Sequence, residues 1–322
     1  MIERLLEVKN LKIAFPSSTG PMYATHDVNI NVAANERLGV VGESGSGKSV
    51  TALAIMGLVQ SPGRIMEGSI YWRGKNMLDP KIAREVRGRE IAMIFQDPMA
   101  SLNPLMSIEK QISEVLTKRR GMDRTSARKH VIELLEMVGI PFPTERMRQF
   151  PFEFSGGMLQ RVMIASALAS QPMLLIADEP TTALDVTIQA QILELLKSLS
   201  KDLGVSVMMI THDLGVVAEF CDRVQVMYAG RIVERAPCIS LFGEPLHPYS
   251  AGLIASSPRV DISQGRVESI AGDPPAHALD VSGCPFHVRC KEAFAKCSSE
   301  EPPLIEISTR RWVACWNRPV RL

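Results

Sequence analysis

The chain reads Arg37-Leu-Gly-Val-Val41 and then Gly42-Glu-Ser-Gly-Ser-Gly-Lys48-Ser49. The first stretch is a short apolar run of the kind that forms a buried strand. The second fits the pattern G-x-x-x-x-G-K-[ST] at every required position, and an apolar helical stretch follows it. Such glycines let the backbone curl so that successive N–H groups point at phosphate oxygens, and the helix adds its positive end. We therefore predict a phosphate-binding loop between a strand and a helix.

The loop supplies the largest group of predicted nucleotide contacts. Lys48 is expected to reach the β- and γ-phosphates of a nucleotide, and the Ser49 hydroxyl is expected to ligate Mg²⁺. The full predicted set from this loop is Gly42, Ser44, Gly45, Ser46, Gly47, Lys48 and Ser49.

Two adjacent carboxylates end a second apolar strand, Leu174-Leu-Ile-Ala-Asp178-Glu179. A parallel strand delivers its last residues to the crevice where ligands bind. Asp178 is suited to the Mg²⁺ coordination shell, and Glu179 is suited to polarise the water that attacks the γ-phosphate. Taken alone, an acidic pair after a strand is more often a solvated loop, so its meaning depends on its neighbours.

Three further features accompany the acidic pair. Ser155-Gly-Gly157 precedes a helical stretch, with Ser155 as a natural N-cap, and predicts a second anion site. Gln96 and His212 each follow a predicted strand, where a lone residue of either type would more often be structural. The order along the chain decides between these readings: phosphate loop, Gln96, Ser155–Gly157, Asp178 and Glu179, Ala183-Leu-Asp185, then His212.

This order resembles the nucleotide-binding domains of ABC ATPases over about residues 5–235. The resemblance matches Lys48 and Ser49 to the Walker A motif, Gln96 to the Q-loop and Ser155-Gly156-Gly157 to the signature. It matches Asp178 to Walker B and Glu179 to the catalytic carboxylate. Asp185 then matches the D-loop, and His212 matches the switch histidine. It implies a catalytic set of Glu179, His212 and Gln96, with Gln96 also near Mg²⁺. It also implies an aromatic side chain that stacks on adenine, for which Phe15 fits best and Tyr23 is the alternative. Met158 and Leu159 depart from the usual signature, and the sequence does not explain Leu159.

The resemblance and the alternation of strands with helices predict an α/β fold. It would have a P-loop NTPase core of the ABC ATPase type, an antiparallel β subdomain and a helical subdomain at about residues 97–160. We assign residues 1–236 to the nucleotide-binding domain. After about Pro237 the composition shifts to proline, cysteine and short apolar pieces, so residues 237–322 are expected to form a small, irregular extension with little helical or strand pattern.

Length, charge and hydropathy exclude several classes of protein. The 322 residues carry a formal net charge of +1, which gives no global bias towards nucleic acid. No apolar run approaches the roughly 20 residues needed to cross a bilayer, and the N-terminus does not resemble a signal peptide. We expect a cytoplasmic protein, held on the inner face of the bacterial plasma membrane by permease subunits.

Four of the six cysteines crowd the C-terminal segment: Cys284, Cys290, Cys297 and Cys315. A small irregular segment needs an additional stabilising link, and four thiolates can hold one metal ion or one cluster. The tight C-x2-C pairs of zinc knuckles are absent, so the spacing favours a [4Fe–4S] cluster over zinc, with free thiols as the other alternative. The segment also resembles oligopeptide, dipeptide and nickel importer ATPases in His247-Pro-Tyr249, Gly283-Cys284-Pro-Phe and Arg289-Cys290; some members of that branch are thought to carry such a cluster.

The resemblance further implies partners. A second ABC ATPase, more often a related chain than a copy, would close on ATP held by this one, with two membrane permease subunits and, indirectly, an extracytoplasmic solute-binding protein. ATP hydrolysis would power uptake of dipeptides or oligopeptides, with nickel and glutathione as open alternatives. A soluble ABC ATPase of DNA repair or translation usually has two cassettes or a long coiled coil, and neither is present. A nucleotide-binding regulator would need neither Glu179 nor His212.

Overall fold

The computed structural model describes residues 4–18, 20–182, 184–256, 270–275 and 281–318. The chain divides into two compact units. The helical unit comprises Ala33–Glu36 and Asp79–Met208, and the phosphate-loop unit comprises Arg4–Val32, Arg37–Leu78 and the described part of Met209–Leu322.

The strands are β1 (Arg4–Ser17), β2 (Gly20–Ala33), β3 (Arg37–Val41), β4 (Arg64–Trp72), β5 (Lys75–Asn76), β6 (Ile91–Ile94), β7 (Leu174–Asp178), β8 (Ser206–Thr211), β9 (Arg223–Tyr228), β10 (Arg231–Pro237), β11 (Ile305–Ser308) and β12 (Arg311–Val313). The helices are α1 (Lys48–Ile55), α2 (Pro80–Val86), α3 (Pro98–Ser101), α4 (Ile108–Arg120), α5 (Arg124–Met137), α6 (Pro143–Arg146), α7 (Gly156–Leu168), α8 (Val186–Leu203), α9 (Leu214–Phe220), α10 (Cys238–Gly243), α11 (Pro248–Ser256) and α12 (Ala295–Ser299).

The phosphate-loop unit contains a four-stranded sheet in the order β2-β1-β4-β5. β1 runs antiparallel to β4, and this register places Val8 opposite Ile70 and Leu6 opposite Trp72. All four of these side chains are buried, as expected for strands that alternate between a core face and a solvent face. The antiparallel β subdomain that the sequence predicts is therefore present.

The same unit places the phosphate loop at the end of a parallel strand. β3 runs parallel to β9, with Leu38 opposite Arg223 and Val41 opposite Val226. Beyond β9 the pairing becomes antiparallel through β10, β12 and β11. Because β3 ends at Val41, the residues that follow emerge at its carboxyl end, where ligands bind in α/β folds.

The helical unit is built from amphipathic helices packed together. Ser107 caps α4 by accepting the Lys110 N–H, and Gly121 ends that helix in the left-handed conformation at φ 68°. Asp123 then caps α5. The apolar side chains that recur at helical spacing are buried as predicted, among them Ile108, Ile112, Leu116, Val131, Leu134, Leu135 and Val138. In the same unit β6 runs parallel to β7, with Ile91 opposite Leu174.

The C-terminal segment is more regular than its sequence suggests. Between Cys284 and Cys315 the sequence shows little helical or strand pattern, yet α12, β11 and β12 form there, after α10 and α11. β12 pairs antiparallel with β10, so the segment extends a sheet rather than standing apart. The two strands are three and four residues long, too short to show an alternating pattern, and β12 pairs with a strand more than 70 residues earlier.

β10 ends at Pro237, the residue after which the sequence changes character, although the division into domains at residues 236 and 237 stays a prediction. Within the described residues, no helix has the length and apolar character needed to cross a membrane.

Candidate nucleotide-binding site

The phosphate loop is shaped by glycines that no larger residue could replace. A Cβ added to Gly42 would lie 2.1 Å from the Met227 carbonyl oxygen. Gly47 has φ 97°, and a Cβ there would lie 2.5 Å from the Ala24 carbonyl oxygen. Real Cβ atoms do not approach backbone oxygens so closely. Gly42 and Gly47 are thus required by the fold of the loop as well as by the motif.

Lys48 is the first residue of α1 and lies almost wholly inside the loop. Its side chain is 4% exposed, and Nζ donates to the carbonyl oxygens of Gly42 and Glu43, at 2.8 Å each, and to Ser46 Oγ at 3.3 Å. Within the described residues, no side chain caps the N-terminus of α1, and its first turn carries no acidic residue. A desolvated ammonium beside uncapped helix N–H groups forms an anion-binding site.

The other predicted residues of this unit lie on neighbouring elements. Ser49 is exposed on the first turn of α1, and His212 is exposed directly after β8. Phe15, on β1, is half-buried and packs against the backbone of Gly63, where an added Cβ would lie 2.6 Å from the ring. Tyr23, on β2, already carries the Lys12 ammonium 4.9 Å above its ring. Which of the two aromatic residues meets adenine stays a prediction.

The helical unit brings Gln96 and Glu179 together. Gln96 Nε2 donates to Glu179 Oε2 at 3.0 Å, and Thr182 Oγ1 donates to the same oxygen at 2.9 Å. Glu179 follows Asp178, which ends β7 and is 6% exposed. The backbone of Glu179 lies in the left-handed region at φ 47°, a conformation that costs a non-glycine residue about 1 kcal/mol or more. Thr182 was not predicted, although its place three residues after Glu179 was a possible signal.

Residues of the signature and of the D-loop line one pocket in the same unit. Ser155 caps α7 by accepting the Met158 N–H at 3.4 Å, and Asp185 caps α8 by accepting the Ile188 N–H at 3.0 Å. Both helix N-termini open onto one pocket of about 510 Å³. Its lining comprises Gly139, Ser155, Gly156, Gly157, Met158, Arg161, Leu184, Asp185, Ile188 and Gln191. Ala183 of the predicted D-loop lies outside the described residues.

Charged side chains of both signs line this pocket, Arg161 and Asp185. Arg161 is held there by hydrogen bonds to the Val138 carbonyl oxygen at 2.6 Å and to Gln191 Oε1 at 3.1 Å. The Asp185 carboxylate caps α8, whereas a neutral hydroxyl caps α7, so the partial positive charge of a helix N-terminus remains at α7. The unusual signature residues also find an explanation: Leu159 is 2% exposed and belongs to the core, whereas Met158 lines the pocket.

The four C-terminal cysteines line a single small cavity of the phosphate-loop unit. Cys284 and Cys297 are buried, Cys290 and Cys315 are half-buried, and all are free thiols. Burial, together with the neighbouring thiols of Cys315, Cys297 and Cys290, raises the pKa of the Cys284 thiol to about 11. Four such thiolates would repel one another unless a cation joined them. Among the described residues, however, no group of three or more His, Cys, Asp or Glu side chains is arranged to hold a metal ion.

Comparison with known proteins extends over nearly the whole chain. A family model described as "ABC transporter" matches residues 25–182, and one described as "Oligopeptide/dipeptide transporter, C-terminal region" matches residues 233–297. The oligopeptide transport ATP-binding protein OppD of Bacillus subtilis (strain 168) is 51% identical over 319 residues, which are 98% of this chain and 89% of that protein. The dipeptide transport ATP-binding protein DppD of the same organism is 45% identical, over 99% of this chain and 96% of that protein.

A solved structure supports the fold. The dimeric ATP-binding cassette MJ0796, in a post-hydrolysis state bound to ADP and Pi, superposes with a TM-score of 0.66 at 30% identity. It covers 73% of this chain, and the match covers 99% of the cassette.

The fold, the phosphate loop and the capped signature helix define an ATP-binding cassette, and the protein is an ATPase. Its relatives match along both the cassette and the C-terminal segment. The chain belongs to the ABC transporter family, among the ATP-binding subunits that carry the oligopeptide/dipeptide transporter C-terminal region.

Proposed function

We propose that this chain hydrolyses ATP to drive import of dipeptides or oligopeptides through separate permease subunits. The observation that carries the proposal is the match of 51% identity to an oligopeptide transport ATP-binding protein over 98% of the chain, the C-terminal segment included. An ATPase of this kind does not touch the transported solute, so its own site supports ATP hydrolysis, and its relatives support the peptide.

Nucleotide binding begins at the phosphate loop. Lys48 Nζ, which donates to the carbonyl oxygens of Gly42 and Glu43, is held where it can reach the β- and γ-phosphates of ATP. The N–H groups of the loop and of the first turn of α1 receive the remaining phosphate oxygens, and Phe15 stacks on adenine. Ser49, Gln96 and Asp178 would hold Mg²⁺, which would supply positive charge to offset that of the phosphates.

Hydrolysis depends on Glu179 as the general base. Gln96 and Thr182 both donate to its carboxylate oxygen Oε2, which keeps the carboxylate in place. With ATP bound, the carboxylate accepts a proton from the attacking water, and His212 contacts the γ-phosphate. A general base of this type contributes about 10² to 10⁴ in rate.

A complete site requires a second ATPase chain. The pocket formed by Ser155-Gly156-Gly157 and Asp185 covers the γ-phosphate of ATP held by the partner's phosphate loop, and the partner's pocket covers ATP held here. The 510 Å³ volume of the pocket and the N-terminus of α7 suit a triphosphate terminus. We assign the partner as a related chain, so that the pair is a heterodimer.

The permease contact lies on the helical unit, so the chain is held at the cytoplasmic face of the bacterial plasma membrane. Gln96 leads directly into a surface with exposed apolar side chains, where Met99 is 51% and Leu105 is 86% exposed. Methionine is flexible and suits an adaptable interface. An extracytoplasmic solute-binding protein delivers the solute, and nucleic acid has no part. In this assignment residues 1–236 bind nucleotide, about 97–160 meet the permease, and 237–322 form the stapled extension.

We further propose that Cys284, Cys290, Cys297 and Cys315 hold a [4Fe–4S] cluster. The proposal is supported by the type and place of the donors: [4Fe–4S] clusters are held by four Cys thiolates, and the four thiols line one cavity, although as placed they do not form a group arranged to hold a metal ion. The four residues would hold the cluster as thiolates, and the cluster would link the parts of the segment. The test is anaerobic purification of the full chain, with iron, sulfide and zinc assays. Four iron and four sulfide per chain, lost in Cys284→Ser, support the cluster; stoichiometric zinc or metal-free protein contradicts it.

The decisive test of the hydrolytic role uses Glu179→Gln in the membrane complex purified through a tag on this chain. We expect turnover to fall at least about 100-fold while ATP stays bound and the ATPase pair stays closed. Glu194→Gln, at an exposed acidic residue of α8 outside the proposed permease contact, is the matched control and should retain turnover. Loss of ATP binding in Glu179→Gln would contradict the assigned role.

The solute requires its own test. A strain without this chain should lose uptake of labelled di- or tripeptides and regain it with the wild-type chain but not with Glu179→Gln. Nickel and glutathione uptake, measured in the same strains, should be unchanged. Loss of nickel or glutathione uptake with normal peptide uptake would overturn the assignment.

A further inference from the structure

Glu43, the second residue of the phosphate loop, is held by two residues from the C-terminal segment. Its backbone N–H donates to Tyr249 Oη at 2.9 Å. Its carboxylate accepts two hydrogen bonds from Arg289, at 2.7 Å from Nη1 and 3.0 Å from Nη2. The carbonyl oxygen of the same residue accepts Lys48 Nζ at 2.8 Å. Glu43 therefore joins the C-terminal segment to the lysine that binds phosphate.

Arg289 is fixed well enough to act as a support. Its side chain is 5% exposed, and besides Glu43 it donates to the carbonyl oxygens of Ala271 at 3.0 Å and Ile270 at 3.4 Å. The guanidinium also lies over the Tyr228 ring, 5.8 Å from its centroid. Hydrogen bonding to Glu43 raises the pKa of Arg289 above its usual value. A buried, two-pronged arginine–carboxylate pair fixes geometry in a way that exposed ion pairs do not.

Tyr249 is fixed by a second set of contacts. Glu234, a fully buried residue of β10, accepts the N–H groups of Leu246 at 2.9 Å and His247 at 2.8 Å. His247 Nδ1 then accepts the Tyr249 N–H at 3.0 Å. The Tyr249 ring, itself fully buried, packs 4.5 Å from that of Tyr228. The phenol oxygen of Tyr249 consequently has a defined position from which it accepts the Glu43 N–H.

The contacts of Tyr249 and Arg289 hold the part of the phosphate loop that no helix or strand holds. Gly47 and Ser49, at the far end of the loop, are anchored by α1, whereas Glu43 has no regular element of its own. A loop that must present N–H groups and Lys48 to phosphate binds more tightly when its backbone is already in place, because less freedom is lost on binding.

We propose that Tyr249 and Arg289 are positioning residues of the ATP site, so that the C-terminal segment sets the affinity for ATP through Glu43. This goes beyond the proposed transport function and does not require the cysteines to hold a metal. The ligand is the nucleotide triphosphate already bound by the loop; what is new is that residues outside the cassette motifs prepare its site.

The test measures ATP affinity and turnover in parallel in the full chain within its complex. For Arg289→Gln we expect the Kd and the KM for ATP to rise about tenfold, with kcat within about twofold, because the support acts before chemistry. Tyr249→Phe keeps the ring and removes the acceptor of the Glu43 N–H, and should raise both constants several-fold. Arg289→Lys keeps the positive charge but cannot make the two-pronged contact, so its affinity for ATP should lie between those of Arg289→Gln and the wild type.

Two controls separate positioning from general destabilisation. Arg37→Gln breaks another two-pronged pair of the same unit, with Asp222, at the start of β3 rather than at the loop. It should lower the melting temperature while leaving the Kd for ATP within about twofold. In the double variant Glu43→Gln with Arg289→Gln, the Kd should be no higher than in the weaker-binding single variant, as expected for residues that act as one pair.

The proposal is overturned if Arg289→Gln and Tyr249→Phe leave the Kd unchanged, or if Arg37→Gln raises it as much as they do. Fully additive effects of Glu43→Gln and Arg289→Gln would also overturn it. Should Arg289→Gln fail to fold, Tyr249→Phe decides the question alone, because the aromatic packing is retained.

Discussion

Replacing Gly157 by alanine tests the close approach of α7 and α8 that shapes the signature pocket. A Cβ at Gly157 would lie 2.7 Å from Ile188 Cγ2, whereas a Cβ at the neighbouring Gly156 would meet its nearest atom, Leu184 Cδ2, at 3.8 Å. Carbon atoms are comfortable at about 3.5–4.0 Å. Ile188 cannot easily turn away, because a β-branched side chain in a helix keeps one strongly preferred χ1 rotamer.

The magnitude follows from comparing the two glycines. Both variants gain about 0.5–1 kcal/mol from replacing a helical glycine, so this gain cancels in their difference. What remains is the overlap with Ile188, and overpacking of this kind costs about 1–3 kcal/mol. At about 2 °C per kcal/mol for a chain of this size, Gly157→Ala should melt about 2–6 °C below Gly156→Ala.

Thermal unfolding of the two variants, followed by circular dichroism without nucleotide, measures this difference. Ile188→Ala removes Cγ2, so adding Gly157→Ala to it should cost less than adding Gly157→Ala to the wild type, by about the same 1–3 kcal/mol. Equal melting temperatures for Gly156→Ala and Gly157→Ala would refute the reasoning, and so would a cost for Gly157→Ala that does not depend on Ile188.

Three further changes test other parts of the structure. Glu234→Gln replaces one of two acceptor oxygens with a donor, so one of the two backbone N–H groups that Glu234 binds loses its partner. Urea unfolding should show a loss of about 1–3 kcal/mol in the free energy of unfolding. An unchanged unfolding midpoint would contradict this role of Glu234. Asp185→Ala should cost about 1 kcal/mol by removing the N-cap of α8, and Asp185→Asn should restore most of it in the same assay. Thr182→Val removes one of the hydrogen bonds to Glu179 at nearly constant shape, so steady-state kinetics should show kcat falling several-fold with the KM for ATP nearly unchanged; a change confined to KM would argue against its contact with the base.

Much of the nucleotide site was predictable because its groups lie close together in sequence. The phosphate loop is one octapeptide, and its glycines, lysine and serine are set by local backbone geometry at Gly42 and Gly47. Ser155 and Asp185 are N-caps of the helices that follow them, which is also a local property. Strand and helix positions in the cassette followed for the same reason, since apolar periodicity reports burial directly.

The residues that sequence reasoning missed act across long separations. Glu43 and Arg289 are 246 positions apart, and Glu43 and Tyr249 are 206 apart. The resemblance to importer ATPases includes His247-Pro-Tyr249 and Arg289-Cys290, yet nothing in their spacing indicates that Tyr249 and Arg289 contact the phosphate loop. β11 and β12 escaped for a related reason: strands this short owe their existence to the edge of β10, and that edge is not visible in the sequence.

Gln96 connects the proposed general base to the surface that is proposed to contact the permease. Gln96 Nε2 donates to Glu179. In the proposed mechanism the other amide atom, Oε1, would hold Mg²⁺, so one side chain would contact both the general base and the cation. Asp97, the next residue, caps α3 through the N–H groups of Met99 and Ala100. A shift of Gln96 would therefore be passed directly to the helix that carries Met99, on the surface proposed to contact the permease.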